Sequence, residues 1–271
     1  MSPRTLTDFL AWTAPARRDV ICGGVLPLGG ILFAYGDEGT FKTWLVMQLA
    51  CDVAIGRSWL IYETIPSKVL IINAEIPEIE FQRRWRDVLI HRTQAIGNIV
   101  VVTDMDMMID TPIGASRLAN WVREYQPNLV IVDNLMSTVT GDITKQIDTQ
   151  RWIDSVNKIR STYHTAFAIV HHARQAPYDP GQHRLVKLGT YEMFGSKNLT
   201  RWADTIMEVD HDRRAQMPDS LTLTPQKYRL CESIPPVLPL WFDRRRRSFD
   251  PLVNMPMFSN DGTHPGGRSL L

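Results

Sequence analysis

The chain has 271 residues, 44% hydrophobic and 22% charged, a balance that fits one large globular domain, alone or with appendages. Its 30 Lys and Arg against 29 Asp and Glu leave a net charge of +1, so no global basic field advertises nucleic acid and any basic surface is local. The three scattered cysteines, Cys22, Cys51 and Cys231, exclude a disulfide framework; with no apolar run of membrane-spanning length and no signal pattern at the start, a cytoplasmic protein without a membrane partner is expected.

Residues 1–18 read as a short arm in which Phe9, Leu10 and Trp12 form one turn able to dock on the core or on a neighbouring subunit. Residues 19–30 end in the turn Leu26-Pro27-Leu28-Gly29-Gly30 and feed an apolar strand at 31–35. A glycine-containing turn follows, then a stretch of helical character that starts at Trp44. Residues 67–75 are a second, near-continuously apolar strand of the kind found in parallel sheets. A helix begins at Pro77, with Phe81, Trp85, Val88 and Leu89 at helical spacing. A strand at 98–102, a helix marked by Leu118, Trp121, Val122 and Tyr125, and a strand at 128–133 come next. A helix lined by Trp152, Val156, Ile159 and Tyr163 then leads to a strand at 166–172. This alternation predicts a parallel sheet with helices on both faces. Residues 173–192 show no period and read as a long loop. A short helix at 194–203 precedes short strands at 205–210, 220–224, 226–231 and 238–242, which extend the sheet in antiparallel fashion. From Asp243 the apolar pattern fades: the run Arg244 to Arg247 and a Met-, Pro- and Gly-rich end read as a flexible tail. The expected organisation is an arm at 1–18, one α/β domain at 19–243 and a tail at 244–271.

Between the first central strand and its helix stands Gly36-Asp37-Glu38-Gly39-Thr40-Phe41-Lys42-Thr43-Trp44. Strand, glycine loop, Lys-Thr and helix form the context of a phosphate-binding loop. Backbone N–H groups and the helix dipole favour phosphate there. Lys42 would reach the β and γ phosphates of ATP, and the Thr43 hydroxyl would ligate Mg2+. The pattern G-x-x-x-x-G-K-[ST] has glycine where this chain has Phe41, which alters the cradle while leaving its N–H available. An ordinary strand–turn–helix corner with a surface lysine is the competing reading.

Other candidates follow. Asp133 closes its strand beside the phosphate-loop strand, placed to hold Mg2+ or its water shell. Glu75 ends a parallel strand and would orient and deprotonate water near the γ-phosphate; a dipole-stabilising acid is the alternative. His172, at the end of the fifth strand, would sense the γ-phosphate or relay its state, whereas a metal-binding pair with His171 is disfavoured because neighbouring strand residues face opposite sides. Arg174, His183, Arg184 and Lys187 make the following loop basic, with Lys197 soon after; such a loop suits a DNA backbone or is a solvated surface. Lys227 and Arg229 alternate on one strand, so both face one side and could act as an arginine finger on a neighbour's triphosphate, or be solvated.

In this order the segments resemble RecA-like ATPases of the plasmid RepA type, which are hexameric replicative helicases. Residues 25–30 with the phosphate loop, Ala74-Glu75, the strand ending Asp133-Asn134, Val170-His171-His172-Ala173-Arg174, Gly195-Ser196-Lys197 before Ala203-Asp204, and Lys227-Tyr228-Arg229 carry the likeness across residues 20–243. The resemblance implies a RecA-like P-loop NTPase fold and a homo-oligomeric ring, a hexamer, with ATP sites between subunits. It implies basic loops on single-stranded DNA, a replication-initiation protein or primase as partner, and a plasmid, phage or other mobile element as setting. Lys42, Thr43, Asp133 and Glu75 would come from one subunit, Lys227 and Arg229 from the next. Phe41 departs from the family pattern, and an extra primase-binding domain is not expected within these 271 residues. Two other functions stay open: a RecA-like accessory ATPase that binds DNA or protein without unwinding, and a nucleotide-binding scaffold without turnover.

Overall fold

A computed structural model describes residues 3–13, 15–173, 193–211 and 219–252, together with the backbone of two short strands between 173 and 193. In chain order the elements are α1 (Leu6–Ala11), β1 (Asp19–Ile21), β2 (Leu26–Pro27), β3 (Ile31–Gly36), α2 (Lys42–Ile55), β4 (Val69–Asn73), α3 (Glu78–Leu89), β5 (Ile99–Thr103), α4 (Pro112–Tyr125), β6 (Leu129–Asp133), α5 (Gln146–Tyr163), β7 (Ala166–His172), β8 (Tyr178–Asp179), β9 (Arg184–Leu185), α6 (Lys197–Trp202), β10 (Thr205–His211), β11 (Ser220–Tyr228), β12 (Leu238–Asp243) and β13 (Ser248–Pro251).

Nine of the strands form one sheet in the order β13-β12-β11-β10-β3-β7-β6-β4-β5. From β10 to β5 all neighbours are parallel. The β10–β11, β11–β12 and β12–β13 pairs are antiparallel. Side chains alternate between the faces as strand geometry dictates. Along β3, Leu32 and Ala34 join the core beneath α2 and α3, with Leu45, Leu49, Phe81 and Trp85. Ile31, Phe33 and Tyr35 face the other way, onto Leu118, Trp152, Val156 and Leu199 of α4, α5 and α6. Central strands buried on both faces read as continuous apolar runs, and helix α2, apolar nearly all round, is buried from Leu45 to Ala54. Gly56 then adopts φ 70° and terminates it.

Three expectations change. The strand carrying Asp133 is not beside the phosphate-loop strand, because β7 lies between β3 and β6. Residues 220–228 form one strand where two were expected. Pro225, which falls between the two expected strands, lies beyond the residues of β11 that pair with β12, where a missing N–H breaks no ladder on that side. The sheet also continues past 243: the arginine run is the turn of a hairpin, with Asp243 opposite Ser248, and Phe249 is buried. α1 forms as expected but buries none of its residues.

Candidate nucleotide site

The site is assembled at the carboxyl ends of four adjacent strands, the crevice that open α/β sheets use for ligands. The loop leaves β3 at Gly36, where a Cβ would sit 2.1 Å from the Val209 carbonyl oxygen, so only glycine fits. Phe41 has φ 57° and ψ 24°, the left-handed conformation for which the motif's glycine is suited. For a residue with a Cβ this costs about 1–2 kcal/mol. The compensation lies in its ring, stacked on Phe242 at 4.4 Å and 21° and beneath the Arg244 guanidinium at 5.6 Å. The phenyl group thus anchors the loop to the C-terminal strands. Among the described residues no side chain caps the α2 N-terminus, which leaves its first N–H groups without side-chain acceptors there. The Trp44 ring packs with the Arg84 and Arg247 guanidiniums at 5.4 and 5.1 Å, which leaves only its backbone available to a phosphate cradle.

The Lys42 Nζ donates to the carbonyls of Gly36 at 2.9 Å and Asp37 at 2.6 Å, closing the loop on itself. Burial lowers its pKa, against the raising influence of Asp133 and Glu75. Asp133 is fully buried, and among the described residues neither carboxylate oxygen has a hydrogen-bond partner. Burial pushes its pKa up to about 7; the nearby Thr43 hydroxyl pulls it down without reaching hydrogen-bond geometry. An idle buried carboxylate next to a threonine hydroxyl and phosphate space fits a hard divalent cation. Among the described residues no group of three or more His, Cys, Asp or Glu could hold a metal ion, so phosphate oxygens and water would complete such a shell.

Glu75 lies two residues past β4, on a turn shaped by Asn73, whose side chain accepts the Ile76 N–H at 3.0 Å and donates to the Ile76 carbonyl at 2.6 Å. The Glu75 carboxylate accepts a hydrogen bond from the Asn134 amide, which also meets His172 Nε2 at 3.1 Å. Asn134 follows Asp133 across a cis peptide bond and is 2% exposed. Burial lowers the His172 pKa, and Lys42 adds to the effect. His171 points into the opposite core, with Nε2 2.6 Å from the Phe194 carbonyl oxygen. Asn73 and Asn134 were not among the sequence candidates. Asn134 stood next to Asp133 in the motif, but nothing in the sequence said whom its amide would meet.

Lys227 and Arg229 do not reach this chain's own phosphate loop. Lys227 lies opposite Ile206, which pairs with Phe33, well below Gly36. Arg229 sits just past the end of β11 rather than on it. Both hold the C-terminal end of α6: Lys227 donates to the Thr200 and Arg201 carbonyls at 2.7 and 3.0 Å, and Arg229 to the Arg201 carbonyl at 2.7 Å and to Asp204. Lys197 is the first residue of α6 and is exposed. Arg174, His183 and Lys187 lie outside the described residues. For Arg184 only the backbone is described, opposite Asp179.

Sheet, loop and strand-end residues together define a RecA-like P-loop ATPase. The chain belongs to the AAA domain family, whose model matches residues 1–177. The fold is shared with a KaiC-like protein from the hyperthermophilic archaeon Pyrococcus horikoshii OT3, at 12% identity and TM-score 0.58 over 87% of this chain and 98% of that one. It is shared also with a DnaB-like replicative helicase studied with its primase interactions, at 12% identity and TM-score 0.62 over 82% of this chain and 57% of that one. At such identities the likeness is one of fold. No curated protein matches the chain.

Proposed function

We propose that the protein hydrolyses ATP between subunits of a homo-oligomeric ring, a hexamer, and uses the hydrolysis to move single-stranded DNA, as a replicative helicase of a mobile element. The observation that carries the ATPase part is the meeting of Lys42, Asp133, Glu75 and His172 at one crevice. In this reading residues 36–44 cradle the triphosphate, with Lys42 leaving its carbonyl partners for the β and γ phosphates. Thr43 and Asp133 hold Mg2+, which neutralises charge on the phosphate oxygens when bound. Glu75 orients and deprotonates the attacking water, and His172 reads the γ-phosphate. Lys227 and Arg229 lie away from their own loop, which supports a role on a neighbour's nucleotide.

Residues 1–18 act as an arm outside the ATPase unit, a role supported by the exposure of every residue of α1. Arg174, Arg184, Lys187 and Lys197 are the proposed DNA contacts, with a primase or initiator as partner in the cytoplasm. Among the described residues no helix is long and apolar enough to cross a membrane. Single-stranded DNA is expected to raise ATP turnover and ATP to drive strand displacement. Turnover indifferent to any DNA would replace the motor with an accessory ATPase, a reading that the net charge of +1 favours. Turnover insensitive to Lys42→Ala would remove the ATPase reading altogether.

A further inference from the structure

Asn134 engages both of its amide hydrogens and its amide oxygen at the centre of the crevice. Its Oδ1 accepts the Ser137 N–H at 3.0 Å, in the turn Met136–Thr138. Its Nδ2 carries two hydrogens; one goes to the Glu75 carboxylate and the other meets His172 Nε2 at 3.1 Å. The Ser137 bond fixes which end of the amide is oxygen. Nε2 is therefore the acceptor, and the imidazole proton sits on Nδ1. With its oxygen pinned to the backbone and 2% exposure, the amide has no room to follow one partner without straining its bond to the other.

His172 is itself a junction. Its carbonyl accepts the Phe194 N–H at 3.1 Å, and the next residue, Ala173, donates its N–H to Gly36 of the phosphate loop at 3.0 Å. Ala173 also bridges to Met193, where the chain returns. The end of β7 is thus tied to the phosphate loop on one side and to the returning chain on the other. Only one amide separates it from the Glu75 carboxylate.

We propose that Asn134 is a positioning residue that couples Glu75 to His172, so that the orientation of the carboxylate follows the end of β7. The inference rests on the reading of Glu75 as the hydrolytic base. A base must meet its water within hydrogen-bond reach, and a misplacement of about 1 Å costs on the order of a hundredfold. Loss of the amide leaves the carboxylate free to turn while the nucleotide cradle is untouched.

Steady-state ATP hydrolysis on the full chain with Mg2+ tests this. Glu75→Gln is measured first, with ATP binding as a second readout. In Asn134→Ala, kcat is expected to fall about tenfold or more while KM for ATP moves less than about twofold. Asn134→Asp keeps the shape, removes both donated hydrogens and places a second carboxylate against Glu75, so it is expected to lose at least as much. It also serves if the alanine variant folds poorly. His172→Leu is expected to cost about tenfold in the wild-type background and less than about threefold in the Asn134→Ala background, because its effect passes through the amide. His172→Gln, which retains an acceptor, is expected to keep most of the rate. Suppressed turnover in Glu75→Gln, combined with normal turnover in Asn134→Asp or with full multiplication of the Asn134 and His172 losses, would overturn the coupling alone. Normal turnover in Glu75→Gln would overturn the reading of Glu75, and the coupling with it.

Discussion

Phe41 concentrates the difference between motif and molecule. The motif's glycine tolerates a left-handed backbone, and the chain keeps that backbone at φ 57° while spending the side chain on Phe242. Strain and stacking are therefore separable by mutation. Phe41→Ala removes the ring and keeps the strain, so it is expected to destabilise by about 2–3 kcal/mol. Phe41→Gly also removes the ring but relieves the strain, and is expected to be about 1 kcal/mol more stable than the alanine variant. Urea denaturation of the three proteins measures both steps; a glycine variant no more stable than the alanine one would refute the strain. A second residue makes a pH-dependent contribution. Burial pushes the His171 imidazole down to about 4 from its ordinary 6.5, and the hydrogen bond to the Phe194 carbonyl only partly opposes it. Because the folded value is the lower one, the stability tied to neutral His171 is complete above pH 6.5 and is lost as pH falls toward 4. Asp52 and Asp133, raised to about 6 and about 7, act in the opposite sense and lose their contribution as pH rises through those values. The wild-type curve therefore mixes both signs. The stability gap between wild type and His171→Phe isolates the histidine and is expected to narrow by about 1–2 kcal/mol between pH 7 and pH 5. A gap independent of pH would place the charged form of His171 at no disadvantage in the fold.

At the scale of elements, legibility followed locality. The parallel strands were readable because each is a continuous apolar run buried on both faces, and the phosphate loop because its spacing is fixed by local backbone geometry. β13 was not readable: its four residues look like an ending, and only the pairing with β12 and the clamp from α2 reveal them as a strand. That clamp is the Gln48 side chain, which accepts the Phe249 N–H at 2.7 Å and donates to its carbonyl at 3.2 Å. Gln48 and Phe249 are far apart in the chain, so no periodicity links them. The same holds for Asn134, whose side-chain partners arrive from the turn after β4 and from the end of β7. If β13 belongs to the folded unit, Phe249→Ala leaves a void against Phe242 and destabilises by about 3 kcal/mol or more. Substitution within a solvated tail changes stability by less than about 0.5 kcal/mol. Thermal or urea unfolding distinguishes these two outcomes without reference to activity.

For the whole molecule, the sheet sets Lys227 and Arg229 apart from the phosphate loop of their own chain, and there they hold the end of α6. Two cations against helix carbonyls are stabilised by the helix dipole, and this alone would account for them in a monomer. The ring reading asks more: that they leave or share those carbonyls to meet a neighbour's γ-phosphate. The two cases separate in a mixing experiment. Lys42→Ala spoils a chain's own nucleotide cradle but leaves its Lys227 and Arg229 intact, and Arg229→Ala does the reverse. If Arg229 acts within its own chain, every subunit in a mixture lacks one half of its machinery, and the mixture is as inactive as its parents. If Arg229 acts across the interface, an Arg229→Ala subunit beside a Lys42→Ala subunit has an intact cradle and borrows an intact arginine. For random mixing in equal amounts, about a quarter of the interfaces are then complete, and ATP turnover is expected to rise well above either parent when the two are assembled together with nucleotide. Mixing that restores nothing, in assemblies shown by mass to contain both chains, would return Arg229 to the end of α6 as a purely structural residue.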